Sequence, residues 1–187
     1  LDNHMFKVLY VGAIRPINDV GLILDAAKLL KQYKDIQFLI YGDGNQKDFL
    51  KKRIMEEGIS NVKLKGYINK QYIPYILSKS SINILNYSQT QYNWSRGNSS
   101  NKLFEYMASG KPIISTVTMG YSLIERYQCG IELEQNSPKE LADSILKIQS
   151  FSHSKLKKIS ENAKSGAGEF DFEILTKKLI EVIESVK

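Results

Sequence analysis

The chain has few of the residues that common catalytic and metal centres use. Its 187 residues include one cysteine, two histidines and one tryptophan. The single cysteine, Cys129, excludes a disulfide framework and a cysteine metal site, which fits a reducing cytoplasm. Neither histidine has a carboxylate or cysteine at metal-ligand spacing, so we expect no zinc centre.

Several sequence motifs are also missing. The chain has no P-loop and no G-x-S-x-G nucleophile elbow, which disfavours P-loop nucleotide hydrolases and serine hydrolases of the elbow type. The turn Gly42-Asp43-Gly44 lacks the third glycine of a dinucleotide fingerprint, so a nicotinamide dehydrogenase is also disfavoured. That turn is either a tight turn with an Asx hydrogen bond or a point where a nucleotide approaches the backbone.

Long apolar runs are absent as well. No stretch approaches the ~20 residues of a membrane span, and no signal peptide opens the sequence. We therefore expect a cytoplasmic protein whose membrane contact, if any, is peripheral at the inner face of the cell membrane.

The remaining composition is that of an ordinary globular domain. Hydrophobic residues make up 42% and charged residues 25%, enough to bury one substantial core. The net charge of +6 is compatible with nucleic acid, anionic membranes or phosphorylated substrates. Because the lysines are spread along most of the predicted helices, we favour a generally basic surface and expect no nucleic-acid partner.

Hydrophobic patterning predicts strands that alternate with helices. The predicted strands are residues 6–11, 36–41, 62–64, 81–85, 112–116 and 130–133. The predicted helices are residues 20–33, 46–57, 71–78, one between Ser100 and Gly110, a short one ending at Arg126, and 138–149. Two tail helices are predicted within 155–187, separated near 166–168, the second over about 171–186. This order predicts an α/β, doubly wound, parallel-sheet Rossmann-like domain with ligands beyond the carboxyl ends of the strands.

The segment from Ser99 to Ile114 is the most informative part of the sequence. Ser99 or Ser100 is suited to cap a helix through its hydroxyl, and Gly110 is suited to end it. Such a helix start presents free amides and a partial positive charge, which suits a phosphate group. Glu105 lies one turn into the helix, where its carboxylate is placed to accept hydrogen bonds from ribose hydroxyls.

Residues 101–114, NKLFEYMASGKPII, resemble the signature of family 4 glycosyltransferases. That family has the GT-B fold and retains anomeric configuration, and this form of the motif is similar to bacterial enzymes of surface-polysaccharide assembly. The resemblance implies a C-terminal donor-binding domain over residues 6–187, including tail helices at about 153–187. Residues 1–5 are then a linker or an expression scar. No metal or other cofactor is required, because this class stabilises the leaving diphosphate with helix amides and basic side chains.

The resemblance also assigns candidate site residues. Glu105 would bind the ribose, the start of its helix would face the diphosphate, and Tyr67 would lie near the base. The candidate nucleotide-sugar-binding residues are Gly12, Arg15, Gly42, Gly44, Tyr67, Arg96, Ser100, Asn101, Lys102 and Glu105. Each basic side chain among them is equally compatible with a solvated surface position, and Tyr67 with a core or surface role. Trp94 either stacks on a sugar or anchors its loop. No catalytic group is assigned.

Three positions depart from the family pattern. Alignment places Ala13 and Asn18 where the family has the arginine and lysine that neutralise the diphosphate, and Gly97 where it has the acid that contacts the donor sugar. The candidates for meeting the phosphate charge are then Arg15, Arg96, Lys102 and the amides at Ser100 and Asn101, and we expect Arg15 to be the first substitute.

The resulting functional prediction is a donor-binding domain of a retaining glycosyltransferase. It would bind a UDP-sugar or another nucleotide-sugar, for transfer of a hexosyl or N-acetylhexosaminyl group to a glycan or lipid-linked acceptor. The N-terminal acceptor-binding domain of the same enzyme would be its partner, so this chain alone would be inactive. The alternative is a catalytically inactive nucleotide-binding or scaffold module that pairs with another chain.

Overall fold

The computed structural model describes residues 4–91 and 93–185 and contains one six-stranded sheet. The strands are β1 (Phe6–Val11), β2 (Ile36–Tyr41), β3 (Val62–Gly66), β4 (Ile82–Leu85), β5 (Ile113–Ser115) and β6 (Gly130–Glu132). Their order is β3-β2-β1-β4-β5-β6, and every pair is parallel. The predicted doubly wound Rossmann-like sheet is therefore confirmed.

Helices connect the strands and extend beyond the last one. They are α1 (Val20–Leu29), α2 (Lys47–Glu56), α3 (Ile73–Ser78), α4 (Asn101–Ala108), α5 (Leu123–Arg126), α6 (Pro138–Gln149), α7 (His153–Gly168) and α8 (Phe172–Ser185). Short 3-10 turns occur at Pro16–Asn18, Lys70–Tyr72 and Trp94–Arg96. Within the described ranges, no helix combines the length and apolar character needed to span a bilayer.

The sheet is buried on both faces, as parallel sheets are. Alternate residues of β1 enter two different cores: Val8 and Tyr10 pack on the side of α1 and α6, whereas Leu9 and Val11 pack on the side of α4. Because side chains alternate along a strand, a strand covered on both faces needs apolar residues in both sets, which explains the apolar run of residues 8–11 within the β-rich segment that predicted the strand.

Two helix boundaries differ from the prediction. Helix α1 ends at Leu29 instead of continuing to residue 33. Leu29 is half-exposed, whereas Leu30, just beyond the helix, is buried in the core. Gly166 does not separate the tail helices but lies within α7. A Cβ there would lie 2.6 Å from Cγ of Tyr127 and 2.7 Å from Cε of Met107, so the glycine permits close packing of α7.

Helix α8 follows a break at residues 169–171 and contributes no buried residue. Phe172, Leu179 and Ile183 on this helix are all more than half exposed. The predicted end of this helix at Val186 lies outside the described residues.

Candidate functional site

The sheet order creates a crevice between β1 and β4. The chain adds β2 and β3 on one side of β1, then returns to place β4 on the other side. In open α/β sheets, this reversal leaves a ligand crevice at the carboxyl ends of the two strands. Gly12 follows β1 and Asn86 follows β4, so both lie at this edge.

Tyr106 fixes α4 against the carboxyl end of β1. Its buried hydroxyl accepts a hydrogen bond from the N–H of Val11 at 3.0 Å and is 3.2 Å from the carbonyl oxygen of Val11, to which it donates. Burial raises the pKa of Tyr106 well above its ordinary value, so the phenol remains neutral. The start of the signature helix is thereby held beside the crevice.

The helix start has a different capping arrangement from the one predicted. Ser100 is the N-cap residue with extended backbone, but its hydroxyl makes no capping hydrogen bond, so that detail of the prediction is wrong. Its N–H donates to Oδ1 of Asn98 at 2.8 Å, and its Oγ is buried without a hydrogen-bond partner among the described residues. The first-turn amides of Asn101 and Lys102 have no acceptor within the helix, as at any helix start.

Lys102 projects from this first turn into the crevice. Its Nζ lies 3.3 Å from the hydroxyl oxygen of Tyr10 and 4.7 Å from the ring centroids of both Tyr10 and Tyr87. A Cβ at Gly12 would lie 2.7 Å from this ammonium nitrogen, so the glycine leaves room for it. In the described part of the chain, no carboxylate forms an ion pair with Lys102.

Burial changes the acidity of Lys102. Removal from water lowers its pKa to about 8, and the negative charge of Glu105 opposes that shift. Glu105 lies three residues further along α4, so the two side chains occupy one side of the helix. The carboxylate and the ammonium therefore face the same region while remaining too far apart for an ion pair.

A first cleft, with a volume of about 270 Å³, opens over the ends of β1, β2 and β3. Its lining includes the predicted residues Gly12, Gly42 and Tyr67, together with Ala13 and Ile68. Tyr67 is 76% exposed, so it is accessible to a ligand in this cleft. The structure thus brings together three candidates that are widely separated in sequence.

The Gly42-Asp43-Gly44 turn has a local structural role as well. A Cβ at Gly42 would lie 1.8 Å from the carbonyl oxygen of Gly12, and one at Gly44 would lie 2.3 Å from that of Ile14. The N–H of Gly44 also donates to Oδ1 of Asp43 at 2.8 Å. Both glycines allow close approach of the loops after β1 and β2, but only Gly42 lines the first cleft.

A second cavity, of about 420 Å³, lies in front of α4. It is lined by Tyr87, Asn93, Trp94, Gly97, Asn98, Ser99 and Ser100. Trp94 anchors its loop, since its Nε1 donates to the carbonyl oxygen of Ser88 at 3.2 Å and its ring centroid is 5.2 Å from that of Tyr87. Trp94 therefore both stabilises the loop and presents an aromatic wall to the cavity.

The backbone explains why Gly97 is a glycine. Its φ is +79°, and a Cβ would lie 2.3 Å from the carbonyl oxygen of Tyr121. A Cβ at Gly120 would likewise lie 2.2 Å from the carbonyl oxygen of Ser95. The two loops pack so closely that an acidic side chain at Gly97 does not fit this backbone.

The other basic candidates are placed less favourably. Arg15 and Arg96 are exposed, and neither lines either cavity. Asn18 is buried, and its carbonyl oxygen accepts a hydrogen bond from Nδ2 of Asn86 at 2.5 Å, so this position supports the loop. Lys102 lines neither cavity either, but it belongs to the first turn of α4 and is therefore the basic candidate nearest the helix start.

Sequence reasoning overlooked Tyr10, Tyr87 and Asn98. Tyr10 is the penultimate residue of β1, and Tyr87 is two residues beyond β4. Tyr10 and Tyr87 lie at the carboxyl edge of the sheet, one on each side of the switch point, and that position is the signal that would have identified these two residues. Throughout residues 4–91 and 93–185, no three histidine, cysteine or carboxylate side chains cluster in a way that would hold a metal ion.

Comparisons with known proteins are consistent with this geometry. The family described as Glycosyl transferases group 1 matches residues 2–166. An alpha-D-kanosaminyltransferase of Streptomyces kanamyceticus is 27% identical over 144 residues, covering 75% of this chain and 36% of that enzyme.

Solved glycosyltransferase structures share the fold. Anabaena HepE in complex with UDP has a TM-score of 0.80 at 19% identity, covering 97% of this chain and 49% of HepE. Staphylococcus aureus TarM, solved with UDP and alpha-GlcNAc-glycerol, has a TM-score of 0.76 at 21% identity, covering 95% of this chain and 35% of TarM. The chain therefore spans half or less of the length of these relatives.

The parallel sheet, its switch-point crevice and the family match over most of the sequence lead to one conclusion. The chain belongs to the group 1 glycosyltransferases, and its fold is the Rossmann-like domain found in GT-B enzymes.

Proposed function

We propose that this chain is the donor-binding half of a retaining glycosyltransferase that uses a UDP-linked sugar. The observation that carries the proposal is the pair formed by Lys102 and Glu105 on one side of α4, beside the switch-point crevice. A lysine without an acidic partner suits a diphosphate, and a carboxylate one turn away suits the hydroxyls of a ribose. The UDP complexes of HepE and TarM support uracil as the base.

In this proposal, the two cavities bind different parts of the donor. The cleft beside Gly12 and Tyr67 offers an accessible aromatic ring for the base. The amides of Asn101 and Lys102 and the Lys102 ammonium face the diphosphate. The cavity beside Trp94 and Ser100 then receives the sugar.

This arrangement supports departure of the diphosphate. When an acceptor hydroxyl attacks the anomeric carbon, negative charge develops on the leaving UDP. A fixed ammonium and free helix amides stabilise that charge without reorganising, which is the general form of electrostatic catalysis. Retention of anomeric configuration follows the family resemblance.

The acceptor belongs to another part of the enzyme. We infer that an N-terminal domain of the same protein binds a glycan or lipid-linked acceptor of surface-polysaccharide assembly, at the cytoplasmic face of the membrane. Residues 6–187, including the tail helices, then form the donor half, with residues 1–5 as a linker or expression scar. This chain alone would bind donor without transferring sugar.

Equilibrium titration with UDP, GDP and CMP tests the proposal. Tighter binding of UDP than of the other two supports a UDP-sugar donor. Tighter binding of GDP would support a donor site for a GDP-sugar instead of a UDP-sugar. Tight binding of CMP would contradict a diphosphate site.

A catalytically inactive nucleotide-binding or scaffold module is the second candidate. The backbone at Gly97 favours it, because the acid that would contact the sugar does not fit there. A sugar-transfer assay on the domain joined to its native upstream region separates the two. Turnover with a UDP-sugar supports the enzyme, whereas UDP binding without turnover on any acceptor supports the scaffold.

A further inference from the structure

Four lysines lie along the edge of the sheet opposite the donor crevice. Lys7 is in the first half of β1, Lys79 directly follows α3, Lys111 lies just before β5, and Lys164 is in α7. Because the strands are parallel, the amino ends of β1, β4 and β5 lie along one edge. We call these four residues the lysine cluster.

Backbone contacts bring the first two lysines of the cluster together. The N–H of Ser81 donates to the carbonyl oxygen of Lys7 at 2.9 Å, and the N–H of Lys7 donates to Oγ of Ser81 at 3.0 Å. Lys79 lies two residues before Ser81 and is therefore held beside the start of β1.

A glycine turn brings the other two together. Gly110 has a φ of +67°, and a Cβ there would lie 2.6 Å from Cε of Lys164. The stem of Lys164 thus packs over the turn that leads into Lys111. The N–H of Lys111 is fixed in turn by Oγ of Ser109 at 3.2 Å.

No described carboxylate lies within ion-pair distance of the lysine cluster. Lys7 is only 6% exposed, so part of the cluster's positive charge is held beneath the surface. Burial and the positive charges of Lys164, Lys79 and Lys7 together lower the pKa of Lys111.

We propose that the lysine cluster binds a phosphate-bearing anion at a second site, separate from the donor crevice. The positive charges of the lysine cluster repel one another, and an anion with several negatively charged oxygens relieves that repulsion while accepting hydrogen bonds from ammonium groups. Phosphate oxygens match compact ammonium donors well. A soluble polyphosphate and the headgroup of an anionic lipid share this chemistry.

The binding test uses inorganic pyrophosphate on the whole chain in a Lys102→Gln background, which removes the phosphate-facing cation of the donor crevice. Titration compares three proteins. They are the Lys102→Gln background, this background with the first pair, Lys111→Gln/Lys164→Gln, and this background with the second pair, Lys157→Gln/Lys178→Gln. The control pair removes the same charge from exposed lysines of α7 and α8. The proposal expects binding at least tenfold weaker with the first pair and unchanged with the second. Equal affinity for all three proteins, or no binding to the background protein and to the vesicles described below, would overturn it.

A stability measurement separates this role from a structural one. At low ionic strength and without added anion, Lys111→Gln/Lys164→Gln is expected to have a higher Tm than the Lys157→Gln/Lys178→Gln control, because mutual repulsion is relieved. A lower Tm would mean that these lysines support the fold, and would overturn the proposal.

Vesicles distinguish the two sources of phosphate. Co-sedimentation is measured with phosphatidylcholine vesicles with and without phosphatidic acid. Binding only with phosphatidic acid, lost in Lys111→Gln/Lys164→Gln, identifies a lipid headgroup. Binding of pyrophosphate but not of either vesicle identifies a soluble anion.

Discussion

The ammonium nitrogen of Lys102 lies 3.3 Å from the hydroxyl oxygen of Tyr10, between the rings of Tyr10 and Tyr87. Aromatic faces stabilise this cation without neutralising it, as a carboxylate would. Its positive charge therefore remains available to a ligand at the start of α4. Under the proposed function, Lys102 takes the place of the two basic groups that are absent at Ala13 and Asn18.

Replacement of Lys102 by glutamine is expected to weaken UDP binding by about 1.5–3 kcal/mol, the range for a lost charged hydrogen bond. Uridine, which has no phosphate, is expected to bind Lys102→Gln and the unmodified chain equally. Arg15→Gln and Arg96→Gln are the matched variants, and calorimetry should show little change for either. Loss of UDP binding in Arg15→Gln but not in Lys102→Gln would assign the phosphate contact to Arg15 instead of Lys102.

The affinity for UDP is expected to fall as pH rises through about 8, because the pKa of Lys102 is about 8 and its neutral amine does not attract a diphosphate. The ionisable groups around it are Tyr10, Tyr87, Glu105 and Tyr106. Burial raises the pKa of Tyr10 and Tyr106, so neither gains charge in this range. Affinity measured from pH 6.5 to 9.5 should decline by up to about tenfold per pH unit above 8. A decline of the same size in Lys102→Gln would assign it to another group.

Substitution Gly97→Ala is expected to destabilise the fold by about 1–2 kcal/mol or more. Alanine is strained at a φ of +79°, and its Cβ would collide with the carbonyl oxygen of Tyr121. Urea denaturation measures the change. Gly168→Ala is the control, because a Cβ there would meet nothing within 4 Å, and its stability should be unchanged or slightly higher. Equal stability of the two variants would mean that the loop at Gly97 relaxes freely.

Removal of the Tyr106 hydroxyl is expected to cost roughly 1–3 kcal/mol, because Tyr106→Phe leaves the buried N–H of Val11 without its partner. Tyr127→Phe is a matched control: the hydroxyl of Tyr127 donates to Glu169 at 2.7 Å on the exposed surface, where the loss should be about 0.5 kcal/mol or less. Chemical denaturation of both variants checks the difference. If they lose the same stability, Tyr106 does not hold α4 to β1.

Deletion of residues 172–187 is expected to leave the Tm nearly unchanged, since no described residue of α8 is buried. The exposed apolar side chains of α8, including Phe172 and Leu179, should make the chain without the deletion associate at high concentration. Sedimentation velocity should show less association after the deletion. A large drop in Tm would mean that α8 packs against the domain.

The fold was largely predictable because β1, β2 and β4 consist mainly of buried apolar residues and several turns carry glycine or proline. The segment from Phe6 to Val11 is typical of a buried strand in a parallel sheet. Pro112 ends the preceding helical pattern and so marks the start of β5. The predicted helix break at Gly166 was wrong, because this glycine is needed for close packing against Tyr127 and Met107, which are distant in sequence. Close packing of that kind leaves no local signal.

The candidate site was only partly predictable. The motif located Lys102 and Glu105, because both belong to one helix. It did not reveal that Tyr10 and Tyr87 enclose the lysine, since those residues come from different strand ends. It also could not show that the hydroxyl of Ser100 stays free while its N–H is taken by Asn98. Contacts between distant segments decide these details.

The most direct test of the donor site is calorimetric titration of UDP into the unmodified chain and into Glu105→Ala. We expect UDP to bind the unmodified chain and the substitution to weaken binding by roughly 1.5–3 kcal/mol, through loss of hydrogen bonds from the ribose to the carboxylate. Titration with 2′,3′-dideoxy-UDP is the control, and it should show no difference between the two proteins. Equal UDP affinity of Glu105→Ala and the unmodified chain would contradict the assignment of the donor site to α4.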